Sequence, residues 1–276
     1  MSTTAVALKP THELQHIAHR TKRLDFAILA GIIIVIAAVT AGIALTGVHL
    51  TYFFQPTGAL IVLGGTLGVT IIATPRSALV HSAHRLAQLL HASRTPRGAL
   101  VEELMDYVRT ARIRGPLSIE PLIANASDPF LREALALTID LTQRAELQST
   151  LETKIRLCER QGEADAKTLE VAGGFAPTIG IIGTVVGLID VLRQFTNVTS
   201  VAYGIGIAFV STIYGLALAN LILLPAATRI RASVAETFEN QELIMEGVLC
   251  IFDRIHPALV RERLNAFLRD KAVASE

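Results

Sequence analysis

The chain has 276 residues, of which 51% are hydrophobic and 18% are charged, and its mean hydropathy is +0.48. Soluble domains usually carry about a quarter of charged residues, so the composition excludes a single soluble domain and favours a membrane protein with a soluble part. The net charge of +1 supplies no overall basic field, which argues against a nucleic-acid partner. The only two cysteines, Cys158 and Cys250, lie in charged segments without metal-ligand spacing, and we expect reduced cytoplasmic thiols.

Charged residues are absent from three long segments of the chain. No Asp, Glu, Lys or Arg occurs in the 50 residues 26–75, the 19 residues 171–189 or the 35 residues 194–228. A bilayer-spanning helix needs about 20 mostly apolar residues, and an aromatic and proline break at 52–56 divides the first segment. The sequence therefore predicts four membrane spans, at about 26–45, 58–73, 171–192 and 202–224.

The first span could also be a secretory signal, because the basic segment His19–Arg23 precedes it. However, 25 residues come before the apolar run, a second span follows at once, and no small-residue cleavage site interrupts the run convincingly. These features favour an uncleaved helix.

Basic residues flank the same end of every predicted span. Arg23 precedes the first and Arg76 follows the second, while Lys167 precedes the third and Arg229 follows the fourth. The positive-inside rule then places both termini and the central region in the cytoplasm. We therefore predict an all-α membrane protein, with two plus two transmembrane helices, divided as follows: an N-terminal extension (1–25), spans 1 and 2 (26–75), a cytoplasmic helical domain (76–165), spans 3 and 4 (166–228) and a cytoplasmic helical tail (229–276).

The cytoplasmic region is predicted to be helical. Apolar residues recur at three- and four-residue steps from Leu100 to Ala111, in a pattern that Gly115-Pro116 ends. Asp128 followed by Pro129 is typical of a helix N-cap with proline at the first helical position. A further long helix, through 147–169, is predicted to continue directly into the third span.

An arginine cluster precedes the predicted helix break, with Arg109, Arg112 and Arg114 followed by Glu120. Arginine is favourable at a helix C-terminus, so a solvated helix end is the simplest interpretation. A charged docking surface for another protein is the alternative. RNA binding is disfavoured because no aromatic residues interleave with the arginines.

Each of the last two spans has one face of small and hydroxyl-bearing residues. At 100° per residue, Pro177, Gly180, Thr184 and Gly187 fall within an arc of about 80° on the third span. The corresponding arc on the fourth span, about 100° wide, holds Ala208, Ser211, Thr212, Gly215 and Ala219. Such faces allow close helix approach and hydrogen bonds between helices. A polar path through an assembly is the alternative, because Pro177 also frees a backbone carbonyl.

No span has Asp, Glu, Lys or Arg in its middle. Ion-translocating proteins normally carry an ionisable group within the membrane, whereas Asp190 and Arg193 lie at the outer end of the third span. A self-sufficient carrier is therefore disfavoured, and any ion-binding carboxylate must come from a partner.

Together these features resemble the A-subunit family of the bacterial flagellar stator (MotA/PomA), within the MotA/TolQ/ExbB proton channel superfamily, over about 25–260. The sequence FAPTIGIIGTVVGL, Phe175–Leu188, resembles the family's proline-containing third span. The sequence FVSTIYGLALANLILLP, Phe209–Pro225, resembles its fourth, including the closing proline. The sequence ARIRGPLSIE, Ala111–Glu120, resembles the loop in which an arginine and a glutamate eight residues later face the rotor.

The resemblance implies an ion-conducting motor subunit of the bacterial inner membrane, used in flagellum-dependent motility and chemotaxis, rather than an enzyme. Family members bind no cofactor and translocate H⁺ or Na⁺. They form a pentamer around two copies of a single-span B subunit (MotB/PomB-like), which is anchored in peptidoglycan and supplies the ion-binding aspartate. Their cytoplasmic ends push the rotor switch protein (FliG-like).

The resemblance also implies roles for individual residues. Arg112 and Glu120 would contact the rotor. Pro177 and Pro225 would couple ion binding to movement of the cytoplasmic region. The residues lining the ion path would be Thr184, Thr212 and the adjacent Ser211, while Gly180, Gly187 and Gly215 would provide close helix packing.

Some positions depart from the family pattern. The 25-residue N-terminal extension is longer than expected, and Pro116 and Pro121 bracket the loop with the glutamate. Thr184 matches sodium-driven members, but Ser211 stands where those members tend to carry threonine. The ion thus stays open, with protons slightly favoured because a hydroxyl group alone does not specify sodium.

Two other classes compete with the motor interpretation. TolQ/ExbB-like subunits energise outer-membrane processes, but they normally have three spans and an external N-terminus, which the uncharged 50-residue segment disfavours. A membrane scaffold or signalling protein would use the small faces for assembly alone. A stand-alone transporter is disfavoured because no intramembrane charge is available to bind a substrate.

Overall fold

The structure is a computed structural model that describes residues 26–47, 50–89, 96–193, 196 and 198–273, and every regular element among them is helical. The predicted N-terminal extension, 1–25, lies outside the described residues. In chain order the α-helices are α1 (Phe26–Leu45), α2 (Pro56–Ala73), α3 (Arg76–Leu89), α4 (Arg97–Arg114), α5 (Glu120–Ile123), α6 (Pro129–Asp140), α7 (Arg144–Arg193), α8 (Val198–Ala217), α9 (Leu224–Phe252) and α10 (Pro257–Val273). Short 3₁₀ turns occupy Leu50–Phe53 and Pro116–Ile119, and a π-helical segment, Leu218–Leu223, joins α8 to α9.

Two helix ends follow from local sequence as expected. Helix α4 ends at Arg114 because Gly115 adopts a φ of 88°, a conformation that favours glycine, and its N–H donates to the carbonyl of Ala111 at 2.9 Å. Helix α6 begins at Pro129, where Asp128 Oδ1 accepts hydrogen bonds from the next two backbone N–H groups, at 2.7 and 3.2 Å. The chain direction between these helices is thus set by a glycine and a capping carboxylate.

Among the described residues, three uninterrupted helical stretches are long and apolar enough to cross a membrane: Pro56–Ala73, Arg144–Arg193 and Val198–Phe252. A shorter apolar stretch, Ile33–Leu45, lies within α1. Helix α7 runs through 50 residues without a break, as predicted for the helix that enters the third span. The π-helical turn in the last stretch was not predicted.

The π segment ends at Leu223, two residues before Pro225. A π turn closes i→i+5 hydrogen bonds and widens the helix locally. Pro225 occupies the second position of α9 and has no N–H to donate back into the preceding turn. The backbone register therefore changes at 218–225 while the chain remains helical.

The chain divides into two compact units. The described residues 96–151 and 241–273 belong to the first, and residues 26–89 and 152–240 belong to the second. The two units have separate buried apolar clusters.

The first unit has the larger apolar core. Helices α4 and α6, the start of α7, the end of α9 and helix α10 all contribute to it. Its largest fully buried side chains are Leu100, Leu104, Met105, Ile119, Leu131, Leu135, Leu147, Leu151, Leu243, Ile244 and Leu264. Arg261 makes a bidentate ion pair with Glu102, at 2.7 and 2.8 Å, which joins α10 to α4 at the surface. Exposed pairs contribute little to stability, so burial of the apolar side chains holds this unit together.

Both cysteines are free thiols, as expected from the sequence. Burial raises the pKa of Cys250 to about 11, with Glu246 adding to the shift, so this side chain is neutral at physiological pH. Cys250 thus acts as a small apolar core residue.

The second unit contains the apolar helices and a smaller cluster where α7 packs on α9. A Cβ added at Gly162 of α7 would overlap the side chain of Val234 of α9, so the two helices approach closely there. Arg231 of α9 pairs with two glutamates of α7, Glu163 at 3.1 Å and Glu170. Steric fit and a charge network therefore keep α7 and α9 side by side.

Replacing Leu104 with Ala should lower the free energy of unfolding of the first unit by about 2–5 kcal/mol, because the fully buried side chain contacts Gly247 and its removal leaves a cavity. Chemical unfolding of the purified protein, followed by circular dichroism, measures the change. Leu259→Ala on α10, at a position 55% exposed, is the matched control and should cost under about 0.5 kcal/mol. Similar losses in both variants would contradict the core position of Leu104.

Candidate ion path and rotor-contact site

Helices α7 and α8 come into backbone contact at glycines. A Cβ added at Gly187 would lie 2.6 Å from the amide nitrogen of Ala208 and 2.7 Å from the carbonyl oxygen of Gly204. A Cβ at Gly215 would lie 2.6 Å from the carbonyl oxygen of Ala176, and one at Gly180 would lie 3.0 Å from that of Ser211. A larger residue at Gly187 or Gly215 would have to displace backbone, so this interface depends on the absence of side chains.

Gly204 belongs to the same contact, although it was not singled out in the sequence. A Cβ there would lie 2.9 Å from the carbonyl oxygen of Gly187. Gly204 is four residues before Ala208 and eleven before Gly215, so helical periodicity places it on the same small face of α8.

Two threonines face each other across this interface. The hydroxyl oxygens of Thr184 on α7 and Thr212 on α8 are 2.6 Å apart. Thr184 Oγ1 is also 3.0 Å from the carbonyl oxygen of Ala208 and 3.2 Å from that of Gly180. A hydroxyl has one proton and two acceptor lone pairs, so Thr184 can donate to Ala208 while it accepts from Thr212. The two residues form a continuous polar pair, half-buried between helix segments, 171–189 and 198–217, that carry no Asp, Glu, Lys or Arg.

Ser211 is adjacent to Thr212 in sequence, but its side chain has a different environment. It is fully buried, and its hydroxyl donates to the carbonyl of Ile207 at 2.7 Å, within α8. A Cβ added at Gly58 would lie 2.7 Å from Ser211 Oγ, and one at Gly183 would lie 2.6 Å from Ser211 Cβ. Ser211 therefore packs at the junction of α2, α7 and α8, and its hydroxyl bonds within its own helix rather than to the threonine pair.

Tyr214 ties α8 to the segment before α2. Its hydroxyl donates to the carbonyl of Phe53 and lies 3.2 Å from the amide nitrogen of Gln55, which donates to it. This contact could not be predicted from the sequence, because an isolated tyrosine in an apolar run gives no indication of its partner. The hydrogen bonds fix the start of α2 beside α8.

The two prolines that the sequence resemblance singled out, Pro177 and Pro225, lie on segments that contact each other. Pro177 is half-buried inside α7 and, lacking an N–H, leaves the carbonyl of Gly173 without its usual helical partner. A Cβ added at Gly173 would lie 2.9 Å from Leu224 Cδ2, one residue before the exposed Pro225. The free carbonyl and the π segment thus occur where α7 meets the start of α9.

Arg112 lies at the exposed end of α4, and one of its guanidinium nitrogens donates to the carbonyl of Arg254. Glu120 is exposed at the start of α5; its backbone N–H donates to the carbonyl of Leu117, and its side chain makes no hydrogen bond or ion pair with other described residues. The structure gives no contact that joins these two side chains. It does join Arg112 to Arg254, a residue that no local sequence pattern singles out.

Arg254 closes α9 in an unusual conformation. Its φ is 53°, the only positive value at a non-glycine residue in the described part of the chain. The N–H of Ile255 donates to the carbonyl of Cys250 at 3.0 Å, and that of Arg254 donates to Ile251 at 3.1 Å. This pattern is a Schellman motif, whose left-handed position usually holds glycine. Arginine there costs roughly 1–2 kcal/mol of backbone energy.

The fold is helical, and it contains helices long and apolar enough to cross a membrane. These features define a membrane-helix protein in which the apolar part of α7 packs against α8 around the Thr184–Thr212 hydroxyl pair. Two family models match it: the Motility protein A N-terminal model over residues 29–112, and the MotA/TolQ/ExbB proton channel family model over residues 123–242. The chain therefore belongs to the MotA/PomA family, within the MotA/TolQ/ExbB proton channel family, as the sequence resemblance indicated.

Similar proteins support this assignment. Motility protein A of Bacillus subtilis is 27% identical over 252 residues, which cover 90% of this chain and 92% of the relative. Chemotaxis protein PomA of Vibrio alginolyticus is 25% identical and is covered to 99%, with 92% of this chain matched. The structure of the flagellar MotAB stator complex from Bacillus subtilis contains a chain with a TM-score of 0.80 and 25% identity, over 90% of this chain and 98% of that one.

Replacing Gly187 with Ala should destabilise the α7–α8 contact by about 1–3 kcal/mol, because the new methyl group would overlap backbone atoms rather than a flexible side chain. The loss is measured as a lower midpoint of thermal unfolding in detergent. Gly174→Ala is the matched control on the same helix, since its Cβ would have nothing within 4 Å. Equal stability of the two variants would contradict the close approach.

Proposed function

We propose that this chain is the ion-conducting A subunit of a flagellar motor stator, and that it couples proton or sodium flow to torque. The observation that carries the proposal is the Thr184–Thr212 hydroxyl pair, set between two glycine-packed helices in segments without acidic or basic residues. Family membership and the similarity to Motility protein A and PomA support it. Family function does not point to an enzyme or to a bound cofactor.

The ion path in this proposal runs along Thr184 and Thr212, with Ser211 beside it as a packing residue that fixes α8 against α2. Hydroxyl groups can replace part of an ion's hydration but cannot take up and release a proton near neutral pH. The ionisable carboxylate must then come from a partner. We propose a single-span, peptidoglycan-anchored B subunit, MotB-like or PomB-like, and the name of the MotAB stator complex is consistent with such a partner.

The proposed assembly is a pentamer of this chain around the B subunits in the bacterial inner membrane. We propose four spans, 26–45, 58–73, 171–192 and 202–224, with both termini and the region 76–165 in the cytoplasm. The basic residues at one end of each span support this orientation. On this arrangement most of the first compact unit would face the cytoplasm.

Pro177 and Pro225 are proposed to transmit ion binding to the cytoplasmic part. Pro177 lies one turn after Gly173, the α7 residue that approaches Leu224 at the start of α9, and Pro225 follows Leu224; both prolines interrupt regular backbone hydrogen bonding. Such interruptions are the usual places at which long helices bend. A small change at the hydroxyl pair could therefore alter the direction of the helices beyond it.

Arg112 and Glu120 are proposed to contact a FliG-like rotor switch protein. Both side chains are exposed, Arg112 at the end of α4 before the break at Gly115 and Glu120 at the start of α5 after it. Exposed charges of opposite sign suit a contact that must form and break quickly.

A TolQ/ExbB-like energising role is the second candidate, because the matching channel family includes those proteins. The separate match of residues 29–112 to the Motility protein A N-terminal model favours the motor.

Replacing Thr184 with Val should abolish or strongly reduce ion flow, at least about tenfold, because the near-isosteric side chain removes the hydroxyl that bonds both Thr212 and Ala208. Swimming speed, in cells that depend on this subunit and with or without sodium, measures the loss and identifies the ion. The matched control is Thr178→Val on the same helix, whose hydroxyl bonds only to the carbonyl of Phe175. Full motility of the Thr184 variant would remove the ion-path assignment.

Replacing Arg112 with Glu should stop rotation without preventing assembly, because the reversed charge lies on the surface outside the core. Motility and co-purification with the B subunit, measured in the same strain, separate loss of torque from loss of the complex. Arg160→Glu, an exposed charge reversal on α7, is the control and should leave motility intact. Normal swimming of the Arg112 variant would exclude the rotor contact.

A further inference from the structure

The turn between α9 and α10 and the turn after α4 enclose an open pocket in the first unit, which we call the elbow pocket. We propose that the elbow pocket binds one aromatic or branched aliphatic side chain of an acidic helix on the rotor-side protein, and that Arg254 and Leu117 are contact residues. The inference rests on the proposed function and deepens it: the rotor contact is an anchored interface as well as a pair of charges.

The pocket has a volume of about 230 Å³, and its walls come from three elements. Leu117 lies on the 3₁₀ turn, Ile139 at the end of α6, and Phe252 and Arg254 at the end of α9. A cavity of roughly 150 Å³ lined by apolar side chains accommodates a benzene-sized molecule. The elbow pocket is therefore large enough for one phenylalanine or leucine side chain.

Large apolar side chains are exposed on this part of the unit. Ile113, between two arginines on α4, is 81% exposed, and Leu117 is 70% exposed. Ile113 and Leu117 are four residues apart, on either side of the helix break at Gly115. Interface cores combine exposed apolar anchors with a polar rim that excludes water.

Arginines border the pocket. Arg112 donates to the carbonyl of Arg254, and Arg254 itself lines the pocket. The arginines Arg112, Arg114 and Arg254 outnumber the exposed carboxylates Glu120 and Asp140, while the neighbouring Asp253 is already paired with Arg144 at 2.8 Å. The excess positive charge favours an occupant with acidic residues beside its apolar anchor.

The backbone conformation of Arg254 also supports a binding role for the elbow pocket. Glycine would fit its left-handed position without strain, yet the chain carries a long cationic side chain there. Non-glycine residues in this region of backbone space concentrate at functional sites, where the side chain has a role that offsets the strain. Contact with the partner is such a role.

The pocket is continuous with the proposed rotor contact, because Arg112 is hydrogen-bonded to the pocket-lining residue Arg254. That continuity favours the rotor-side protein as occupant over a second copy of this chain. If a second copy occupied the pocket instead, a substitution in the pocket would change the number of subunits in the complex.

The test uses two variants, Arg254→Gly and Leu117→Asp, in the complex with its B subunit reconstituted into lipid nanodiscs. Binding of the purified rotor switch protein from the same organism is measured by biolayer interferometry, and subunit number by mass photometry. Arg254→Gly is informative because glycine suits the turn, so the fold is retained and only the guanidinium is lost. Leu259→Asp, on the exposed face of α10, is the matched control for Leu117→Asp.

We expect each test variant to weaken binding at least about tenfold, as at interface hot spots, and the control to stay within about twofold of the unaltered complex. Loss of binding on Arg112→Glu, with normal binding of both test variants, would overturn the elbow pocket while leaving the rotor contact standing. Failure of the unaltered complex to bind the switch protein would overturn the proposed rotor function as well. An altered subunit number in either test variant would assign the pocket to contacts between copies and refute the proposal.

Discussion

The close approach of α7 and α8 is the constraint on which the rest of the second unit depends. At Gly187, Gly204 and Gly215 the two backbones lie so near each other that a single methyl group would displace them. In a hydrocarbon environment, helices gain little from burying apolar surface against each other, so contact geometry and hydrogen bonds carry the association. The glycines therefore provide the distance at which other groups can interact.

The threonine pair is the consequence of that distance. Thr184 and Thr212 reach each other, and Thr184 reaches a carbonyl of the opposite helix, only because the backbones are in contact. Polar groups removed from water must be hydrogen-bonded to be stable, and this pair satisfies its own requirement within the chain. The hydroxyl oxygens retain free lone pairs that can accept a hydrogen bond from water or contact an ion. An ion path that uses a partner's carboxylate would need such groups.

The first unit is stabilised differently from the second. Its helices pack around an apolar core, and its surface turns carry the charges. The hydrogen bond from Arg112 to the Arg254 carbonyl connects the end of α4 to the end of α9. A residue expected to contact a partner thus also supports the turn that shapes its own surface. The strained backbone at Arg254 and the exposed apolar side chains nearby are the features on which the proposed binding surface rests.

Sequence by itself determined the helical class, the uncharged segments, the helix ends at Gly115 and Asp128, and the family. These features depend on local chemistry. Membrane-spanning segments avoid charged residues, and helix caps and prolines require particular residue types at fixed positions, so each can be recognised in the sequence. Helical periodicity also placed Thr184 and Thr212 on the small faces of their helices, but it could not decide between packing and a polar path. Their 2.6 Å contact, the separate environment of Ser211 and the hydrogen bonds of Tyr214 required the tertiary structure. So did Arg254 and the elbow pocket, because residues from 112 to 254 meet there, and no local pattern records which distant segments a fold will bring together.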